Sequence, residues 1–214
     1  MSLADLRVAG GLDWGSASPG CLVWGLARVD GHVELFDEWK FQRLSVRDVA
    51  EGIRERREAW GLRRGTPLYA DPALRADTGQ IGESIGQTFA RYGVPLIYPS
   101  NDRVAGWQRV HEALQPCRHP ECRTPETPEG VPWLSVDPRC RYLLRTFPLM
   151  IQSAQNPEDL DTTGDDHGLD AVRYLLMGGL RPDTGRREAP LPVGSHGWWK
   201  QYHRRQSAQT GILA

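Results

Sequence analysis

Lysine is almost missing from this 214-residue chain: Lys40 and Lys200 are the only two among 26 basic residues. Neither lies in a G-x-x-x-x-G-K-[ST] loop, and no such loop occurs, which excludes a P-loop nucleotide motor. Long apolar runs are missing too. No stretch nears the roughly 18–20 apolar residues of a membrane span, and no basic region precedes an apolar block at the N-terminus. The chain is therefore expected to be soluble, unsecreted and without a membrane partner. Cysteine is scarce, at four residues, which argues against a disulfide framework. Charge of one sign is not in excess: the net value is −1, so any contact with nucleic acid must come from a local patch. Arginine, which supplies nearly all the cations, grips phosphates with a flat fork, but a GC-rich coding bias favours it as well.

What is present suits one core of good size. An apolar strand over 7–13 is followed by a turn rich in Gly, Ser and Pro. Two strand-like runs, 21–29 and 32–41, flank Asp30-Gly31, a pair that favours a tight hairpin turn. Ser45 can cap a helix running to about Trp60. Residues 66–71 read as a buried strand closed by Asp71 and stopped by Pro72. Ile81, Ile85, Phe89 and Tyr92 mark a helix face, and 94–98 a short strand. A helix over 102–114 leads into 115–130, a loop long enough to suggest a mobile element near an active site. A strand over 131–136, a helix near 138–147, a short strand at 150–152 and a helix over 164–180 complete the order. This predicts an α/β fold, a mixed sheet flanked by helices with antiparallel strands at one side. Residues 1–180 form the expected domain, and 181–214 a basic Pro-, Gly- and Arg-rich tail.

Three acidic places stand out. Asp13 and Asp71 each close an apolar strand, where α/β folds place ligands, although either acid can equally begin a turn. In Gly164-Asp165-Asp166-His167-Gly168-Leu169-Asp170, the first acids suit a helix start by capping and dipole. Asp170 lies inside the helix, four residues after Asp166 and three after His167, so all three share a face. Two carboxylates and an imidazole so placed repel or desolvate one another unless a cation joins them. Oxygen donors suit Mg²⁺ or Mn²⁺, and one nitrogen favours Mn²⁺. Asp13, Asp71, Asp170, Asp166 and His167 are thus candidate ligands of two divalent ions in a phosphoryl-transfer site.

Three segments resemble the C-terminal nuclease domain of bacteriophage terminase large subunits, of the ribonuclease H-like superfamily. They are Gly11-Leu12-Asp13-Trp14-Gly15 before a hairpin, Tyr69-Ala70-Asp71-Pro72, and Asp166-His167-Gly168-Leu169-Asp170-Ala171-Val172-Arg173-Tyr174. The resemblance implies a ribonuclease H-like sheet and metal-dependent cutting of double-stranded DNA. It makes Asp13, Asp71 and Asp170 metal-binding acids and His167 a further ligand or proton-transfer group. Which of Asp165, Asp166 and Asp170 is the essential third acid varies, with Asp170 first and Asp166 second. It also implies a separate ATPase motor domain, a viral portal or procapsid as partners, and the cytoplasm of a bacterial host. A junction resolvase, a transposase-type nuclease, or a non-catalytic DNA- or capsid-binding module are the alternatives.

For DNA, Arg103 and Arg109 precede the long loop and can line a groove. The tail carries Arg186, Arg187, Arg204 and Arg205, interleaved with Trp198, Trp199 and Tyr202, a pairing of phosphate neutralisers and stacking rings. Cys117, His119, Cys122 and Cys140 offer zinc donors at irregular spacing. Unpaired reduced thiols are the preferred reading of those cysteines.

Overall fold

The computed structural model describes residues 6–15, 17–76, 82–149, 164–180 and 182. Its centre is an antiparallel meander of three strands: β1 (Arg7–Asp13), β2 (Gly20–Ala27) and β3 (Val33–Phe41). The β4 strand (Leu68–Ala70) adds in parallel beside β1, and β5 (Leu134–Val136) in parallel beside β3, giving the order β4-β1-β2-β3-β5. The sheet is mixed, as expected, but the antiparallel strands lie in the middle rather than at one side. A crossover through a helix returns the chain parallel to its starting strand, so each edge of the meander receives a parallel neighbour.

Local departures from the sequence reading have local causes. The β2–β3 hairpin is not a two-residue turn: Arg28 N–H donates to His32 O at 2.8 Å and Gly31 N–H to Arg28 O at 3.1 Å, with Gly31 at φ 90°. This is a three-residue loop that needs glycine in its left-handed position, and it leaves Val29 exposed at the tip. Around Ile97 the expected strand shrinks to a single parallel bridge to Tyr69, joined by Ala70 N–H to Ile97 O and Ile97 N–H to Leu68 O. The segment around 131–136 becomes a strand only at Leu134.

Five α-helices cover the sheet: α1 (Val46–Ala59), α2 (Ile85–Arg91), α3 (Arg103–Leu114), α4 (Arg141–Thr146) and α5 (His167–Met177). Ser45 caps α1 as expected, in a reciprocal box with Asp48, and Ser84 does the same for α2 with Gln87. Ser84 therefore begins α2 after Ile81, which lies outside the described residues, as do the strand expected at 150–152 and the tail beyond Pro182. One core face, with Trp24, Phe36, Ile53, Leu68 and Phe89, packs under α1 and α2. The other gathers Val23, Leu35, Trp107, Val110, Leu143, Val172 and Leu175 under α3, α4 and α5.

How α5 sits on the sheet decides the site. A Cβ on Gly11 would fall 1.9 Å from Ala171 O, so helix backbone rests directly on β1. Only a residue without a side chain permits that approach.

Candidate active site

The parallel register of β1 and β4 pairs Leu12 with Ala70. The next residue on each strand, Asp13 and Asp71, therefore leaves the same sheet end at the same level. Asp71 serves locally as a cap: its Oδ1 accepts from Ala73 N–H at 2.8 Å at the start of a 3₁₀ turn. Its Oδ2 accepts from Tyr174 Oη–H at 2.6 Å. The turn-starting role and the site role are thus held by one side chain, each by its own oxygen.

The α5 helix supplies the remaining groups. Its first residue puts His167 Nδ1 2.8 Å from Asp13 Oδ2. Asp170 and Tyr174, three and seven residues on, lie along the same helix face. Arg173 binds Asp170 Oδ1 through Nε at 2.8 Å and through Nη2 at 2.7 Å, and Arg103 Nη1 stands 3.7 Å from that same oxygen. With only 1% of its side chain exposed, Arg173 is a buried cation between the Trp107 and Tyr174 rings. Gly106 makes room for it, since a Cβ there would fall 2.7 Å from the Arg173 stem. Asp170 Oδ2 and Asp13 Oδ1 take part in none of these contacts.

Electrostatics separate the acids. Burial raises the Asp13 pKa; the hydrogen bond with His167 opposes this, and the charges of Asp170 and Asp71 add to the rise. Asp166, buried at the start of α5, is also raised, by burial and then by the charge of Asp170. Asp165 behaves differently. Burial pushes it up, but hydrogen bonds from Lys40 Nζ at 2.6 Å and from Tyr142 hold it below the usual carboxylate range. Asp165 is thus an anion with its own partners, while Asp13 and Asp166 are carboxylates under strain. His167 is raised above the ordinary histidine value, first by its hydrogen bond with Asp13.

The sequence-selected residues Asp13, Asp71, Asp166, His167 and Asp170 therefore converge. They do not form a tight cage: among the described residues, no three of them have ligand atoms within 4.8 Å of one another. Arg103 lies beside Asp170. Arg109, six residues on, is turned about 240° around α3 and so leaves that face. Arg186, Arg187, Arg204 and Arg205 lie outside the described residues. Tyr174, Arg173, Lys40 and Tyr142 are the partners that sequence reading did not assign. The spacing of Arg173 from Asp170 and of Tyr174 from His167 along one helix was the available signal.

The four zinc candidates part company. Cys140 is buried with its Sγ 3.7 Å from Leu35 O, whereas Cys117 and Cys122 meet His32, a residue not selected from the sequence. The segment 115–130 is also not beside the acids. It lies against the start of β3, the end level with Arg7 and Ala27, while Asp13 is level with Cys21 and Lys40 at the other end.

No family model and no curated relative matches the chain. Solved structures do. The complete large terminase of a thermophilic bacteriophage superposes with a TM-score of 0.61 at 14% identity, over 82% of this chain and 39% of that one. This chain thus spans well under half of that protein. The nuclease domain of the P22 large terminase gives 0.60 at 16% identity, over 82% of each chain. The large terminase nuclease of a second thermophilic phage, G20c, with bound cobalt, gives 0.52 at 14%, over 80% of this chain and 81% of that one. The chain has the ribonuclease H-like fold of phage large-terminase nuclease domains.

Proposed function

We propose that the chain is a metal-dependent endonuclease that cuts double-stranded DNA as the nuclease part of a phage packaging terminase. The observation that carries this reading is the convergence of Asp13, Asp71, Asp166, His167 and Asp170 at one sheet end, on this fold. The donor set fits divalent cations. Asp13 and Asp166 are desolvated acids raised by neighbouring negative charge, and Asp13 Oδ1 and Asp170 Oδ2 stand outside the bonds to His167 and Arg173. Such a cluster is relieved by Mg²⁺ or Mn²⁺. Asp13, Asp71 and Asp170 would hold two ions, with Asp166 and His167 as further donors. The cobalt in the G20c nuclease agrees with a divalent site in this fold.

When bound, a pair of such ions activates a water and stabilises the departing 3′ oxygen of the phosphodiester. The chain's own residues do the rest. Tyr174 orients Asp71, and Arg173 fixes the plane of Asp170. His167, held by Asp13 through Nδ1, keeps Nε2 available to give or take a proton. Arg103, beside Asp170, is placed to meet a phosphate. A separate ATPase motor, with a portal or procapsid, in the cytoplasm of a bacterial host, is the matching context. The complete thermophilic-phage terminase, of which this chain covers 39%, is known in complex with ADP.

Supercoiled plasmid incubated with Mn²⁺ tests the reading. Wild type is expected to nick and linearise it without sequence preference, and weakly, because carboxylates not drawn into a tight cage fill poorly with metal. Asp13→Ala and Asp170→Ala are expected to lose on the order of 10²–10⁴-fold, the range for removing one positioned catalytic group. Equal cutting by all three proteins would overturn the site. No cutting by wild type with either Mn²⁺ or Mg²⁺ would favour a non-catalytic binding module.

A further inference from the structure

Far from the acids, at the opposite end of the sheet, His32, Cys117 and Cys122 bring one ligand atom each within 4.8 Å of one another. Among the described residues they are the one group of three His, Cys, Asp or Glu side chains so gathered. We propose that these three side chains bind a zinc ion, with His119 as the fourth ligand, and that the ion clips the 115–130 segment onto the start of β3.

The backbone is already shaped for it. Cys117 N–H donates to Val131 O at 2.8 Å, and Val131 N–H to Cys122 O at 3.1 Å, so both cysteines hang from one loop closed on itself. Gly130, at φ 101°, passes so near that a Cβ would fall 1.9 Å from Cys117 O. The neighbouring bridge of Pro116 with Pro132, and the bond from Val33 N–H to Trp133 O at 2.8 Å, fix the loop beside His32. The segment's length therefore does not reflect freedom.

The side-chain geometry has the spacing of a metal site. Cys122 Sγ lies 3.9 Å from His32 Nε2. Two ligands on one tetrahedral zinc, with bonds of about 2.3 Å to sulfur and 2.0–2.1 Å to nitrogen, stand roughly 3.5–3.7 Å apart. The other imidazole nitrogen, His32 Nδ1, is buried without a hydrogen bond and lies 3.2 Å from Asp30 Oδ1. A carboxylate behind a histidine, opposite the metal, is the usual way such a ring is oriented, and a small rotation would complete it here. His32 stacks on Trp133 with ring centroids 4.8 Å apart, and His119 meets the same indole edge-on at 5.5 Å. Both imidazoles thus share one wall. Thiolate and imidazole donors together select zinc over the hard ions proposed for the carboxylates.

Proton balance also agrees. Burial, then a hydrogen bond with Cys117, pushes the Cys122 thiol up to about 11. Two adjacent thiols do not both ionise without a cation. Zinc would take both as thiolates, forming two Zn–S bonds while two protons pass to solvent. Cys21 and Cys140 stay out of the site as buried core thiols whose Sγ atoms face Leu22 O and Leu35 O.

The test uses the full chain. Purified from zinc-supplemented medium and desalted, it is expected to hold about one zinc that resists the carboxylate-site exchange of Mg²⁺ and Mn²⁺. Replacing zinc by Co²⁺ should give a near-ultraviolet thiolate-to-cobalt charge-transfer band. That band should persist in Asp13→Ala, which separates it from cobalt held by carboxylates. It should vanish in Cys117→Ser and Cys122→Ser and weaken strongly in His32→Ala. His119→Ala should lower zinc affinity at least tenfold; an unchanged affinity would overturn His119 as the fourth ligand. Because serine variants can misfold, alkylation of wild type gives a second measure: Cys117 and Cys122 should be protected until a chelator is added. A chain without zinc that gains no charge-transfer band with Co²⁺ overturns the proposal, whether its two thiols are free or joined as a disulfide.

Discussion

His167 and Asp13 illustrate how one pair sets both charge and pH response. The Asp13 carboxyl is raised mainly by burial, while His167 is raised first by its bond to that carboxyl. A histidine whose folded pKa exceeds its unfolded value of 6.5 stabilises fully below that value and loses its contribution as pH rises through the folded pKa. In metal-free protein, the His167 contribution should therefore fade above about pH 6.5. An NMR titration of the His167 ring should give a midpoint above the ordinary histidine range in wild type, falling in Asp13→Asn. A midpoint that ignores that substitution would refute the coupling. Asp170 was legible as unusual because an acid inside an apolar helix is costly. The partner that meets its charge was not: Arg173 reaches it only because Gly106 on another helix leaves the space.

At the scale of elements, the contact of α5 with β1 carries the site, because it brings a helix-borne histidine to a strand-end acid. Gly11→Ala would place a methyl carbon against Ala171 O and force the helix off the strand. A destabilisation of about 1–3 kcal/mol is expected, as for other overpacked cores. Urea denaturation would measure it, and the His167 midpoint should move toward the ordinary value in the same protein. Unchanged stability and an unchanged midpoint would contradict this account of the packing. Strand and helix order was readable from period and punctuation. The glycine at position 11 reads in sequence as mere flexibility, since nothing local tells which helix will lie on it.

For the whole molecule, the two ends of the sheet have separate chemistry: acids where β1 and β4 finish, thiols and imidazoles where β3 starts. The segment 115–130 illustrates why this was hidden in the sequence. Its length suggested a mobile element near the acids, yet hydrogen bonds to Val131, Cys122 and Gln115 fold it against the far end. Charge is a whole-chain matter as well. Six of the basic residues fall between Arg181 and Arg205, all outside the described residues. If that tail binds phosphates, a chain ending at residue 182 should bind duplex DNA more weakly and with a shallower salt dependence. The log–log slope should fall by about 0.9 for every phosphate that the shortened chain leaves unneutralised. Anisotropy titrations across sodium chloride concentrations would measure it, and superimposable curves for both chains would rule out the tail as a DNA-binding element.

Sequence alone determined the residue inventory and the periodicities. It placed Asp13 and Asp71 at strand ends, set Asp166, His167 and Asp170 on one helical face, and excluded a P-loop motor. Those properties follow from near neighbours in the chain and from the fixed geometry of strand and helix. Tertiary structure decided which distant groups meet. It set His167 on Asp13, Arg173 on Asp170 and Tyr174 on Asp71, and it brought His32 to Cys117 and Cys122 across more than eighty residues. Those contacts depend on strand register and on the gaps left by Gly11, Gly106 and Gly130, which no local pattern records.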